Sequence, residues 1–230
     1  MFPKAAIAVQ FLTVGFLLSH PCFGAENAPA KKSAKKKNSE TEWRSLFDGK
    51  SLKGWEISKF GGEGDVSVEK GAIYLDIGNY MTGIRTTQEI PKIDYEVQLE
   101  AQRVTGTDFF CGFTFPVGKD PCSLILGGWG GGVCGLSSID GLDASENQTT
   151  SYRQFKNGKW YTVRLRVTKE KIEAWIDDEK IVDQELDGRR VSIRSEVDLS
   201  RPFGFATFAT CGALKDIKIR KLKPQKKTKG

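Results

Sequence analysis

Between Asp140 and Arg153 the chain reads Asp-Gly-Leu-Asp-Ala-Ser-Glu-Asn-Gln-Thr-Thr-Ser-Tyr-Arg, its densest supply of side chains able to do chemistry. Asp140, Asp143, Glu146 and Asn147 place four oxygen-bearing side chains within eight residues. Such a set can hold Ca²⁺ or another hard cation, or bind the hydroxyls of a sugar. Asp143-Ala-Ser-Glu146 is also the spacing of a helix N-cap with its reciprocal glutamate, so a short solvated turn competes with the site. Asn147-Gln-Thr149 has the acceptor pattern for N-glycosylation. Upstream, Gly127-Gly-Trp-Gly-Gly-Gly132 sets five glycines around Trp129, more than a hairpin turn requires. Glycine there lets a ligand or another backbone approach closely and presents Trp129 with few neighbours; the alternative is a plain connection with Trp129 folded over the core edge. Asp108 precedes the aromatic run Phe109-Phe-Cys-Gly-Phe-Thr-Phe115 and either closes a site or stands in a turn.

These groups need a scaffold, and the pattern around them is all β. No helical periodicity is sustained from Trp43 to Leu222; short alternating runs are broken by turn residues every ten or so positions, which predicts a sandwich or barrel. The clearest run, 160–167, puts Tyr161, Val163, Leu165 and Val167 on one face and Thr162, Arg164 and Arg166 on the other. It is followed by 172–176, a turn at 177–180 and 181–185, a three-stranded meander. Earlier strands are expected at 55–59, 66–69, 72–77, 82–86 and 94–103, central ones at 109–115, 123–126 and 133–138, and later ones at 203–210 and 214–222. Trp43, Trp55, Trp160 and Trp175 are read as core fillers.

The ends differ in character from the middle. Met1-Phe-Pro-Lys4, an apolar stretch over 5–18 and small residues up to Ala25 have the order of a secretory signal, expected to be removed after Gly24 or Ala25. The apolar stretch is about 14 residues, short of the roughly 20 a membrane helix needs, so no transmembrane segment is expected in the mature chain. The formal charge is +6, yet residues 1–41 carry six lysines against Glu26 and Glu40, and the last eight residues carry Lys223, Lys226, Lys227 and Lys229. Each tail therefore holds a surplus of four positive charges and the middle is mildly acidic, which argues against nucleic acid as partner. The expected organisation is a signal at 1–24, a Lys-rich disordered linker at 25–41, one β domain at 42–222 and a basic disordered tail at 223–230. The basic tails could make weak contact with an anionic envelope surface. The single histidine, His20, falls in the signal, so Ser-His-Asp, Cys-His and His-containing zinc chemistry are excluded from the mature domain. Cys111, Cys122, Cys134 and Cys211 remain, as up to two disulfides or as buried thiols.

Leu46-Phe-Asp-Gly-Lys-Ser-Leu-Lys-Gly-Trp55 resembles the opening signature of the 3-keto-disaccharide hydrolase family, which includes 3-keto-glucoside 1,2-lyase and 3-keto-2-hydroxy-glucal hydratase domains. The stretches 158–167, 174–183 and 214–222 resemble its later strands in order. The resemblance implies a concanavalin A-like, laminin-G-like jelly roll of two antiparallel sheets in an exported protein that binds carbohydrate and cleaves 3-keto-glucosides by elimination and hydration. The central segment departs from the family pattern: where members carry Gly-Asn-Ser-Gly and an aromatic-Arg pair, this chain has Asp108 to Phe115 and the glycine loop.

The implied reaction needs a base for the C2 proton and a positive or hydrogen-bonding group for the enolate oxygen. Without histidine, the base is sought among Asp108, Asp140, Asp143 and Glu146, and the electrophile in Arg85 or Arg153. Trp129, Asp143, Asn147 and Arg153 are the expected substrate-binding residues. Two other readings compete: a non-catalytic glycan-binding or adhesion module on the same fold, and a surface-attached structural protein held by its Lys-rich ends.

Overall fold

The computed structural model describes residues 41–223. The signal, most of the Lys-rich linker and nearly all of the basic tail lie outside the described residues. In chain order the strands are β1 (Arg44–Ser45), β2 (Trp55–Ile57), β3 (Val66–Glu69), β4 (Ala72–Leu75), β5 (Met81–Thr86), β6 (Tyr95–Gly106), β7 (Cys111–Val117) and β8 (Asp120–Gly128). Then come β9 (Val133–Ser137), β10 (Ser151–Tyr152), β11 (Trp160–Val167), β12 (Lys171–Ile176), β13 (Glu179–Glu185), a 3₁₀ segment (Ser195–Ser200), β14 (Gly204–Phe208) and β15 (Thr210–Lys221). They form two antiparallel sheets, as expected. One runs β13-β12-β11-β6-β15-β4-β3 with β1 added against β15, and the other β10-β9-β8-β7-β14-β5-β2. The fold is a jelly-roll sandwich.

Alternation along β11 is as its sequence requires: Tyr161, Val163, Leu165 and Val167 are buried and pair in register with Ala101, Leu99, Val97 and Tyr95 of β6. From the other sheet, Phe113 stacks on Phe205 at 4.5 Å and meets Phe203 edge-on at 4.8 Å. Trp55 lies against Phe203 and Phe205 and donates its indole N–H to the Leu46 carbonyl at 2.9 Å, which ties the opening signature to the core.

Three tryptophans read as core fillers are not. Strand parity sends Trp160 and Trp175 to the outer face of the eight-stranded sheet, where Lys215 and Arg164 lie over their rings, and Trp43 is covered by Arg220 and Lys218. Around Trp175, Glu96 and Glu173 are buried and neutralised by Arg166, Arg220 and Lys180. Burial alone would raise the Glu173 carboxyl, but Lys180, Lys171 and Arg166 outweigh it and hold the group below its usual range. The expected 203–210 strand is interrupted at Ala209, whose φ of 45° turns the chain from β14 in one sheet to β15 in the other. All four described cysteines are free, buried thiols; burial pushes Cys111, Cys122 and Cys211 up to about 12.

Candidate functional site

The outer face of the seven-stranded sheet is built from small residues, and this leaves room above it. Gly112 of β7 carries no Cβ because one would stand 2.9 Å from the Phe109 ring, which therefore lies flat on the strand. Phe109 stacks on Phe208 at 5.9 Å with 28° between the planes, and Tyr80 adds a third ring 6.4 Å from Phe208. Backbone bonds fix this shelf: Phe208 N–H donates to the Phe109 carbonyl and Ala209 N–H to that of Tyr80. Beside the shelf opens a cleft of about 480 Å³, lined also by Met81, Ile125 and Trp129, by Ser123 and Ser137 on its floor, and by Arg194, Glu196 and Val197 on its wall.

The glycine loop closes one end. Trp129 takes φ 49° and is 45 % exposed, so its ring stands at the mouth. Gly131 has φ 111°, and a Cβ there would sit 2.5 Å from the Thr107 carbonyl, so no other residue fits. Asp108 shapes this loop: one carboxylate oxygen accepts the Phe109 N–H at 2.7 Å and the other the Gly130 N–H at 3.0 Å. From below, buried Arg103 donates to the carbonyls of Gly131 and Phe155 and to Asn157 Oδ1.

At the other end Arg194 donates one N–H to Asp143 and another to Glu196 Oε1 at 2.7 Å. Asp143 Oδ1 accepts from Ser137 Oγ at 3.2 Å and Ser138 Oγ at 3.3 Å, so it anchors the arginine to the floor of the cleft. The Arg194 hydrogen bond is the leading reason the Glu196 carboxyl falls to about 2, and the same contact raises Arg194 in return.

Of the residues singled out in the sequence, Asp108 and Trp129 line the cleft, and Asp143 stands directly behind its wall. The others lie elsewhere. Asp140 accepts from Arg189 and from the Arg190 N–H in an exposed turn, and these bonds lower its carboxyl. Asn147 is buried and knits its loop, donating to the carbonyls of Leu136, Leu142 and Asp143 and accepting twice from Thr149. Glu146 is exposed in the same loop, and its backbone N–H reaches the Asp143 carbonyl while the Asp143 side chain turns to Arg194, so no capping box forms. Arg85 shares the outer face of β5 with Met81 but is paired with Glu56, about 13 Å along the strand at the usual rise. Arg153 pairs with Glu179 and Asp177. The oxygens of 140–147 therefore do not converge, and no cluster of three or more His, Cys, Asp or Glu suited to a metal occurs among the described residues.

Sequence reasoning missed Arg194, Glu196, Tyr80 and Phe208. Phe208 had a readable signal: Phe203 and Phe205 share one parity and face the core, whereas Phe208 is out of phase and must face away.

A jelly roll with an aromatic cleft on one sheet and an ion pair at the end of that cleft is the frame of a carbohydrate-active protein. The chain belongs to the family of 3-keto-alpha-glucoside-1,2-lyase-like domains, whose model matches residues 42–220. A search of curated proteins found no match. Among solved structures it is similar to the apo Crh5 transglycosylase, with 11% identity, 81% of this chain and 86% of that one covered and a TM-score of 0.54. It is also similar to a galectin-like protein of unknown function from Bacillus subtilis, with 12% identity, 76% and 92% covered and a TM-score of 0.53. A third is a Parabacteroides distasonis ATCC 8503 protein assigned as a glycosyl hydrolase, with 15% identity, 79% and 94% covered and a TM-score of 0.50. At these identities the likeness concerns the fold. No helix among the described residues is long and apolar enough to cross a membrane.

Proposed function

We propose that the chain is an exported enzyme that cleaves 3-keto-glucosides by elimination and hydration, with the aromatic cleft as its site. The observation that carries this reading is the Arg194–Glu196 pair, a cation and a carboxylate side by side on the wall of a cleft sized for a glycoside, in a chain of this family. In this mechanism Arg194 donates to the C3 carbonyl oxygen of the substrate and stabilises the enolate that forms there. Glu196 takes the C2 proton. The enolate then reforms the C3 carbonyl, a C1–C2 double bond forms, and the C1–O bond breaks with its electron pair leaving on the aglycone oxygen, which takes up a proton. Water adds across the double bond, its oxygen to C1 and a proton to C2, so that the net change is hydrolysis.

A carboxyl at about 2 is a weak base, and its leading cause is the Arg194 hydrogen bond. A ketone oxygen that competes for that donor loosens the pair and makes Glu196 more basic when substrate is bound. Asp108 has both oxygens engaged by backbone N–H groups and keeps the loop in shape in this scheme. Export rests on the N-terminal pattern, and a weak contact of the Lys-rich tails with anionic envelope surfaces belongs to the same proposal. A hard cation such as Ca²⁺ enters as an addition to the assay. Purified protein incubated with a 3-keto-glucoside should release the aglycone; no release, with and without divalent metal, sinks the proposal.

The second reading is a glycan-binding module. It is favoured by the commitment of both cleft carboxylates, Asp108 to the loop and Glu196 to Arg194. It predicts binding on a glycan array with no turnover in the first assay.

A further inference from the structure

The cleft is polarised along its length. Under it, β8 and β9 pair so that Ser123 stands beside Ser137 at one end and Gly128 beside Val133 at the other. The strand rise separates Ser123 from Gly128 by about 16 Å. Arg194 and Glu196 belong to the serine end, since Asp143 links Arg194 to Ser137 and Ser138. Trp129 follows Gly128 directly, and Phe110 N–H donates to the Leu126 carbonyl, which puts Phe109 at the glycine end with Phe208 and Tyr80 beyond it.

The two ends offer different chemistry to a ligand. At the aromatic end Asp108 already accepts two backbone bonds, and the remaining polar atoms of the lining side chains are the Tyr80 hydroxyl and the Trp129 indole N–H. A second sugar ring seated there would bury several hydroxyls, each costing roughly a factor of ten in affinity where no partner meets it. A flat aromatic ring brings no such demand and gains from stacked and edge contacts with the shelf. Charge points the same way. Asp108 and Glu196 face the cleft against the single cation Arg194, so an anionic group is disfavoured and the occupant is neutral.

We infer that the aromatic end is an aglycone subsite and that the substrates are neutral aryl glucosides, the oxidised sugar at Arg194 and the aryl ring against Phe109, Phe208, Tyr80 and Trp129. This rests on the glucoside reading above. An aryl aglycone also suits the chemistry at that end: its phenolic oxygen leaves carrying the electron pair of the broken C1–O bond and takes a proton from water, with no neighbouring acid required.

The test has a binding arm and a turnover arm. Phenyl and methyl glucosides of both anomers are titrated into the protein with the heat of binding by titration calorimetry as readout, and the 3-keto derivatives of phenyl glucoside, methyl glucoside and a glucose disaccharide are compared for kcat/KM. The phenyl compounds should bind at least tenfold tighter than the methyl ones. Tyr80→Ala and Trp129→Ala, both at exposed positions that tolerate truncation, should each cut that preference about three- to tenfold. Equal binding of phenyl and methyl glucosides, or a preference that survives both substitutions, overturns the subsite. Turnover that favours the disaccharide also overturns the subsite and leaves the reaction standing. An aryl preference in binding with no turnover of any 3-keto substrate supports the subsite and removes the reaction.

Discussion

Arg103 is the residue whose replacement should say most about how the cleft is held. It is 8 % exposed and all three of its acceptors are neutral: Phe155 O at 2.5 Å, Asn157 Oδ1 at 2.7 Å and Gly131 O at 3.3 Å. Hydrogen bonds from a charged donor contribute about 1.5–3 kcal/mol each, so the two short ones to Phe155 and Asn157 set most of the global loss, while the longer one to Gly131 is the link that ties the glycine loop to β6. Against this stands the cost of keeping a guanidinium out of water without a carboxylate, part of which Arg103→Met recovers. The net loss expected is about 2–4 kcal/mol, which in a domain of this size lowers Tm by roughly 5–15 °C. Denaturant unfolding would measure the stability and hydrogen exchange the loop. Exchange at Gly130 and Gly131 should accelerate more than in β6, because Arg103 is the internal anchor of the glycine loop. A loss below about 1 kcal/mol, or exchange that rises equally everywhere, would refute the assignment of Arg103 as that anchor.

Asn147→Ala removes three donated and two accepted bonds from a buried side chain and should cost about 2–4 kcal/mol in thermal or denaturant unfolding. Gly131→Ala, which must accommodate a Cβ 2.5 Å from the Thr107 carbonyl, should be destabilising and should alter the Trp129 emission. The fully buried Cys111 and Cys122 ionise near 12 when folded and at the ordinary value of 9.0 when unfolded, so the unfolded state releases its protons first and stability falls as pH rises through 9. By pH 10 the loss should be about 1.4 kcal/mol per thiol, and alkylation of all four described thiols at pH 8 should await unfolding; prompt labelling of the native protein would contradict this. Glu196→Gln should lower kcat for aglycone release at least about a hundredfold and leave the fold intact, since the side chain is exposed.

The fold was legible because its information is local. Alternation in 160–167 and the turns that follow predict β11, β12 and β13 nearly to the residue, and a period of two needs no knowledge of what lies opposite. The same period says which residues share a face but not whether that face meets the core, which is why Trp160 and Trp175 were read as fillers and stand outside under Lys215 and Arg164. The site was half legible for a related reason. Asp108, Trp129 and Asp143 are close in sequence to the glycine loop, whereas Arg194 and Glu196 come from a charged segment about 50 residues further on, with no strand pattern to announce it. What brings that segment to the cleft is tertiary: Ser138 and Ser192 exchange backbone bonds, and Arg194 then reaches Asp143.

The two outer faces explain why the cleft belongs to the seven-stranded sheet. On the eight-stranded sheet the outward positions of β6, β11 and β12 carry long side chains, Glu96, Arg164, Arg166, Glu173 and Trp175 among them, and these engage one another in ion pairs and ring contacts over the strands. On the other sheet the outward positions of β7, β8, β9 and β14 include Gly112, Thr114, Ser123, Gly135, Ser137 and Ala206, side chains too short to fill the layer. Loops must then cover that face, and they do so from its margins, with Arg194 and the 3₁₀ segment that follows it at one end and the glycine loop and the Tyr80 turn at the other. A depression framed by separate loops can change its lining without disturbing the strands beneath, since its walls bear little of the core. The Phe109 shelf and the glycine loop come from the segments 108–115 and 127–132, so changes there bear on what the cleft accepts more than on whether the sandwich forms.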